Sequence, residues 1–114
     1  MARFRRAERL RKGRDYRRLA ACGRRVQSDT FVVLLMRREI TGAGGVRLGI
    51  TVSGRVGGAV VRNRLKRLVR EWFRQAKASL PGDLEVVVIA RPGAAALDRA
   101  GVAGELSRLV EGAL

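Results

Sequence analysis

Hydrophobic positions change period several times along the chain, and each change marks an element. In residues 13–22, Tyr16, Leu19 and Ala20 recur at helical spacing, which predicts a short first helix with Gly23 as its stop. Arg17 and Arg18 would project from its other face. A brief strand is expected around residues 25–27. Phe31, Val32, Val33, Leu34, Leu35 and Met36 form a strand apolar on both faces, closed by Arg37, Arg38 and Glu39. Thr41, Gly42, Ala43, Gly44 and Gly45 supply a turn. Residues 46–53 then return as a strand, with Val46, Leu48, Ile50 and Val52 alternating against Arg47, Gly49, Thr51 and Ser53. That alternation predicts one buried face and one accessible face.

Residues 56–79 carry the strongest helical pattern. Val61, Leu65, Leu68, Val69, Trp72 and Ala76 fall within a stripe about 100° wide. Asn63, Lys66, Arg67, Arg70, Arg74 and Lys77 gather on the opposite side. Pro81, Gly82 and Asp83 end this unit, and residues 84–91 form the next strand around Val86, Val87, Val88, Ile89 and Ala90. Asp83 and Glu85, two apart at its start, read as turn chemistry and solvation. Pro92 and Gly93 break the strand. A last helix follows with Val102, Leu106, Leu109, Val110 and Ala113 on one face, its start weakened by Gly101 and Gly104. The expected order is α-β-β-β-α-β-α, a single-domain two-layer α/β sandwich over residues 1–114. There are no internal repeats and no dividing linker.

Composition then narrows the chemistry. A chain of 114 residues with 46% apolar content supports one modest core, filled by Val, Leu and Ala because aromatics are only 4%. No apolar run approaches the roughly 20 residues of a membrane helix, and a cytoplasmic protein is expected. One cysteine, Cys22, allows no internal disulfide, and histidine is absent. Carboxylates are sparse, so a stand-alone nuclease, which would need a carboxylate cluster or a histidine, has no support.

Charge changes the picture most. There are 25 Lys and Arg against 10 Asp and Glu, a net charge of +15. Residues 1–25 carry +9 and residues 54–77 carry +7, whereas residues 26–53 carry +1 and residues 78–114 carry −2. Such concentration suits phosphate binding by counterion release better than a solvated face or an anionic-membrane patch. Residues 1–12 form a basic arm expected to be flexible until it meets a partner. Of the basic residues 22 are Arg, a bias that a GC-rich genome would also produce and that therefore decides nothing.

Five of the nine residues 62–70 are cationic: Arg62, Arg64, Lys66, Arg67 and Arg70. Like charges at i,i+4 cost a few tenths of a kcal/mol per pair, ~0.2–0.5. Only Glu71 offsets them nearby, so the face makes sense if phosphates neutralise it. Just before it, the glycine-rich segment 53–59 can present backbone N–H groups to phosphate, but it has no Walker spacing and no GxGxxG.

The stretch VSGRVGGAVVRNRLKRLVREWFR, residues 52–74, resembles the bacterial ribonuclease P protein family. That family's pattern is Val-Ser, a Lys/Arg pair, a glycine and Ala-Val, then Arg-Asn-Arg-x-Lys-Arg-x-x-Arg. The likeness extends to Asp15-Tyr16, to Phe31-Val32 and to VVVIARPGA over residues 86–94, and so covers most of the chain. The resemblance implies a protein subunit that joins a catalytic RNA and assists removal of the 5′ leader of precursor tRNA. It also implies that the catalytic centre and most of the Mg²⁺ belong to the RNA, with no organic cofactor and no obligate protein partner. An unusual left-handed β-α-β crossover is implied as well, against the ordinary rule. Carried over by position, Arg55, Arg62, Asn63, Arg64, Lys66, Arg67 and Arg70 match the RNA-binding segment. Tyr16, Val32 and Leu34 match a cleft for the single-stranded leader.

Three positions depart from the pattern. Gly54 stands where a lysine is usual, Ala20 where an aromatic is frequent, and Leu34 where Tyr is frequent. Stacking in the cleft would then fall mainly to Tyr16. Charge and size also fit a basic ribosomal or ribosome-associated RNA-binding protein; the motif at residues 62–70 favours ribonuclease P.

Overall fold

The alternating and doubly apolar segments become a four-stranded sheet in the computed structural model, which describes residues 23–37, 45–82 and 84–114. The basic arm 1–12, the expected first helix 13–22 with Tyr16, Ala20 and Cys22, and Asp83 lie outside the described residues. Strands β1 (Arg24–Gln27), β2 (Phe31–Arg37) and β3 (Arg47–Thr51) are followed by helix α1 (Ala59–Ala76), strand β4 (Leu84–Ala90) and helix α2 (Arg99–Ala113). This β-β-β-α-β-α succession agrees with the order expected from the sequence.

The sheet runs β1-β2-β4-β3. Strand β2 pairs antiparallel with β1 and with β4, whereas β3 pairs parallel with β4. The strand expected to return after β2 therefore does not lie beside it. Strand β4 separates the two, and α1 is the crossover from β3 to its parallel neighbour. A parallel pair needs a connection of roughly a dozen residues or more, which α1 and its flanking turns supply.

Both helices cover one face of the sheet, α2 across β1 and β2, α1 against β3 and α2. Phe31, Val33 and Leu35 of β2 join Val86 and Val88 of β4 in a core completed by Leu65, Val69 and Phe73 of α1 and by Leu106 of α2. Phe73 extends the expected stripe of α1 and is fully buried. The opposite face of the sheet carries Val32, Leu34 and Val87, also buried, with Met36 and Ile89 packed on them. Burial on both sides explains why β2 and β4 read as continuous apolar runs.

Three expectations need correction. Helix α1 begins at Ala59, not at residue 56, because Gly57 and Gly58 favour turn over helix interior. Val56 is nonetheless buried, folded in by the turn whose Val56 N–H donates to Ser53 O at 3.1 Å. At its other end α1 stops at Ala76, and a 3-10 turn over Lys77–Ser79 completes the expected span. Glu85, expected at a solvated strand entry, is 0% exposed inside β4. Strand alternation puts it on the face of Val87, with Met36 and Arg47 as its ladder partners.

Helix α2 starts in spite of its glycines because Asp98 caps it, its carboxylate accepting from Gly101 N–H at 2.7 Å. Between β4 and α2 the chain makes a 3-10 turn over Pro92–Ala96, opened by proline at its first position. That turn is seated on the β1–β2 connection. Arg91 N–H donates to Thr30 O at 2.8 Å, and a Cβ at Gly93 would meet Asp29 O at 2.9 Å, so glycine permits the close approach.

Candidate nucleic-acid interface

Helix α1 is amphipathic, and the face turned from the core is cationic. Asn63 and Arg67 are exposed, and Lys66, Arg70 and Arg74 are half-buried along the same side. Glu71 is the only acid on the helix, and it is shared. Its Oε1 lies 3.9 Å from Arg67 Nε, while its Oε2 lies 3.2 Å from Arg99 Nε of α2. The shorter contact goes to Arg99. The Arg67 side chain remains 63% exposed, where a long ion pair contributes little. Arg67 is thus available to an anionic partner.

The N-terminal end of α1 adds to the same field. Arg55 is exposed on the turn that precedes the helix. Gly58 occupies the N-cap without a side-chain hydrogen bond, and no acid stands in the first turn. The first backbone bond of the helix runs from Arg62 N–H to Gly58 O at 2.9 Å. N–H groups ahead of it have no acceptor within the helix, at the positive end of its dipole. Val60 stands 84% exposed beside them, an apolar surface in a basic setting. Arg62 is half-buried, and its Nε, itself buried, has no hydrogen-bond partner among the described residues.

Arg64 is placed differently. It sits roughly 100° around the helix from Leu65, on the flank of the apolar stripe rather than on the cationic face. Its Nη1 donates to Leu97 O at 2.9 Å and its Nη2 to Ala95 O at 2.8 Å. Of the seven residues matched to the RNA-binding segment, the structure places Asn63, Lys66, Arg67 and Arg70 on the outer side of α1 and Arg55 on the preceding turn, with Arg62 half-buried beside the apolar stripe and Arg64 tied inward. Arg74 and Arg99 extend this basic side and were absent from the expected site. Arg74 shares the helical phase of Asn63 and Arg67, a signal already present in the periodicity. Arg99 carries no such signal, because only the packing of α2 on α1 brings it there.

Val32 and Leu34 do not join this surface. They lie on the sheet face opposite the helices, buried with Val87, and Tyr16 lies outside the described residues. Among the described residues no three His, Cys, Asp or Glu side chains gather to hold a metal ion, and no helix is long and apolar enough to cross a membrane.

Comparison with known proteins finds relatives of the whole described fold. Residues 4–114 match the family model described as Ribonuclease P. The ribonuclease P protein component of Desulforapulum autotrophicum is 40% identical over 106 residues, covering 93% of this chain and 88% of its own. That of Syntrophobacter fumaroxidans is 42% identical over 106 residues, with 92% and 87% covered. Among solved structures, the RNase P protein of Staphylococcus aureus superposes with a TM-score of 0.82 at 32% identity, over 91% of this chain and 93% of that one. The RNase P protein of Thermotoga maritima gives 0.78 at 36% identity, over 91% and 96%.

Proposed function

The chain belongs to the ribonuclease P protein family, and from that premise we propose that it binds the catalytic RNA subunit through the outer side of α1 and assists removal of the 5′ leader from precursor tRNA in the cytoplasm. The observation that carries this reading is the cationic outer side of α1, on which the Arg67 side chain stays 63% exposed. Asn63, Lys66, Arg67, Arg70 and Arg74 share it with one acid, Glu71, whose closer partner is Arg99 on another helix. Arg55, Arg62 and the uncapped start of α1 extend the same positive field toward a phosphate backbone. Family membership, rather than charge, separates this chain from a basic ribosomal protein.

Tyr16, Val32 and Leu34 are proposed to line the cleft for the single-stranded leader, with Val32 and Leu34 as an apolar wall. Likeness to the family implies that the Mg²⁺ of hydrolysis is held mainly by the RNA. This chain's own contribution is then to bind, to orient and to neutralise phosphate repulsion where the two RNAs meet.

The test is equilibrium binding to the ribonuclease P RNA of the same organism across a range of KCl concentrations. Replacing Arg67 and Arg74 together by Ala should lower the log–log salt slope by about 2, one per lost phosphate contact. Arg108→Gln, which removes a charge from α2, should leave it nearly unchanged. Equal slope changes per charge removed at both places would mean that binding follows net charge and not this helix.

A further inference from the structure

We infer that Arg64, the second arginine of the Arg-Asn-Arg motif, is a positioning residue. On this view it holds the N-terminal third of α1 in register with the rest of the fold and donates no hydrogen bond to RNA. The inference rests on the reading of α1 as the RNA-binding helix. It starts from the two bonds that Arg64 makes, to Ala95 O at 2.8 Å and to Leu97 O at 2.9 Å. These carbonyls lie at and just past the end of the 3-10 turn Pro92–Ala96, where backbone acceptors lack partners within the turn. Ala94 O, by contrast, already receives Leu97 N–H at 3.0 Å. A single guanidinium fork thus caps the turn through two charge-assisted bonds, a geometry that the ammonium of lysine does not reproduce.

The receiving segment is itself anchored. Arg91 N–H on Thr30 O and the tight seat of Gly93 against Asp29 O fix the turn to the β1–β2 connection. Ser28 and Thr30 of that connection both donate to Glu105 of α2, at 2.8 and 2.7 Å. Arg64 therefore links the RNA-facing helix to the connection between β1 and β2 and to α2.

The start of α1 has few other restraints. Gly58 gives it no side-chain cap, Ala59, Val60 and Asn63 are exposed, and the fully buried stripe begins only at Leu65. Arg55, Arg62 and Asn63 occupy this same end. Releasing Arg64 would let these residues shift relative to Arg67, Arg70 and Arg74, and so spoil the spacing of a multi-phosphate contact without removing a phosphate ligand.

Salt dependence separates the roles. Kd for the organism's own ribonuclease P RNA is measured against KCl for the wild-type chain, Arg64→Lys, Arg64→Ala and Arg67→Ala, well below each protein's melting temperature. Expected are a roughly tenfold weaker affinity for both Arg64 variants, equivalent to about 1.4 kcal/mol, with an unchanged salt slope. For Arg67→Ala the slope should fall by about 1. Wild-type affinity in Arg64→Lys would overturn the inference, because charge alone would then suffice. So would a slope reduced by about 1 in Arg64→Ala, the mark of a phosphate contact, or a lowered melting temperature with affinity intact. Should the wild-type chain itself show no salt-dependent binding to this RNA, the functional reading falls first and the inference falls with it.

Discussion

Glu105 is the point at which the fold behind the RNA-facing helix should be most sensitive to pH. Its Oε2 accepts from Thr30 Oγ1 at 2.7 Å and from Ser28 Oγ at 2.8 Å, and its Oε1 from Arg108 Nη2 at 3.0 Å. Ser28 Oγ also accepts from Thr30 N–H at 3.2 Å, so one carboxylate organises the whole β1–β2 connection. Hydrogen bonds from Thr30, then Ser28, then Arg108 hold its carboxyl down to about 2 from an ordinary 4.5. At 1.36 kcal/mol per unit the full shift would correspond to about 3.4 kcal/mol. The side chain is still 25% exposed, and screening by water reduces this to about 1–2 kcal/mol. A folded pKa below the unfolded one means that the stabilisation is complete above about pH 4.5 and is lost as pH falls toward 2. Glu105→Gln keeps the shape and removes the charge. Urea unfolding at pH 7 should show the variant less stable by about 1–2 kcal/mol, and repeating it at pH 5, 4 and 3 should show the gap closing. A gap that stays constant down to pH 3, or a variant as stable as the wild type at pH 7, would refute this reasoning.

Two glycines offer opposite outcomes from the same substitution. Gly93→Ala places a methyl 2.9 Å from Asp29 O, a backbone atom that cannot swing away, and should destabilise the fold by about 1–3 kcal/mol in chemical denaturation. Gly104→Ala meets nothing within 4 Å on the exposed side of α2 and should raise stability by about 0.8–1 kcal/mol in the same measurement.

Much of this architecture was legible because burial leaves a period behind. Val46, Leu48 and Val52 are buried and Thr51 and Ser53 exposed, as their alternation required, although Gly49, placed on the accessible side, is buried. Leu65, Leu68, Val69 and Trp72 all face the core of α1. What alternation cannot carry is the choice of neighbour. The apolar pattern of β3 is satisfied beside β2 or beside β4 alike, so the insertion of β4 between them is a tertiary outcome. Glu85 escaped notice for a related reason: its sequence neighbours look like a turn, and its burial depends on strands far away in the chain. At the interface, the helical phase of Asn63, Arg67, Arg70 and Arg74 identified the outer side. The inward tie of Arg64 was also present in that phase, since Arg64 falls on the flank of the apolar stripe. Its carbonyl partners, 31 and 33 residues away, were not.

Cleavage of precursor tRNA tests the central claim most directly. The substrate, with its 5′ leader, is incubated with this protein alone, with the organism's ribonuclease P RNA alone and with both, across a Mg²⁺ titration. The expected result is no cleavage by the protein alone, and cleavage by the mixture that is faster, or reached at lower Mg²⁺, than with the RNA alone. Robust removal of the leader by protein free of RNA, or an RNA reaction that the protein leaves unchanged at every Mg²⁺ concentration, would contradict it.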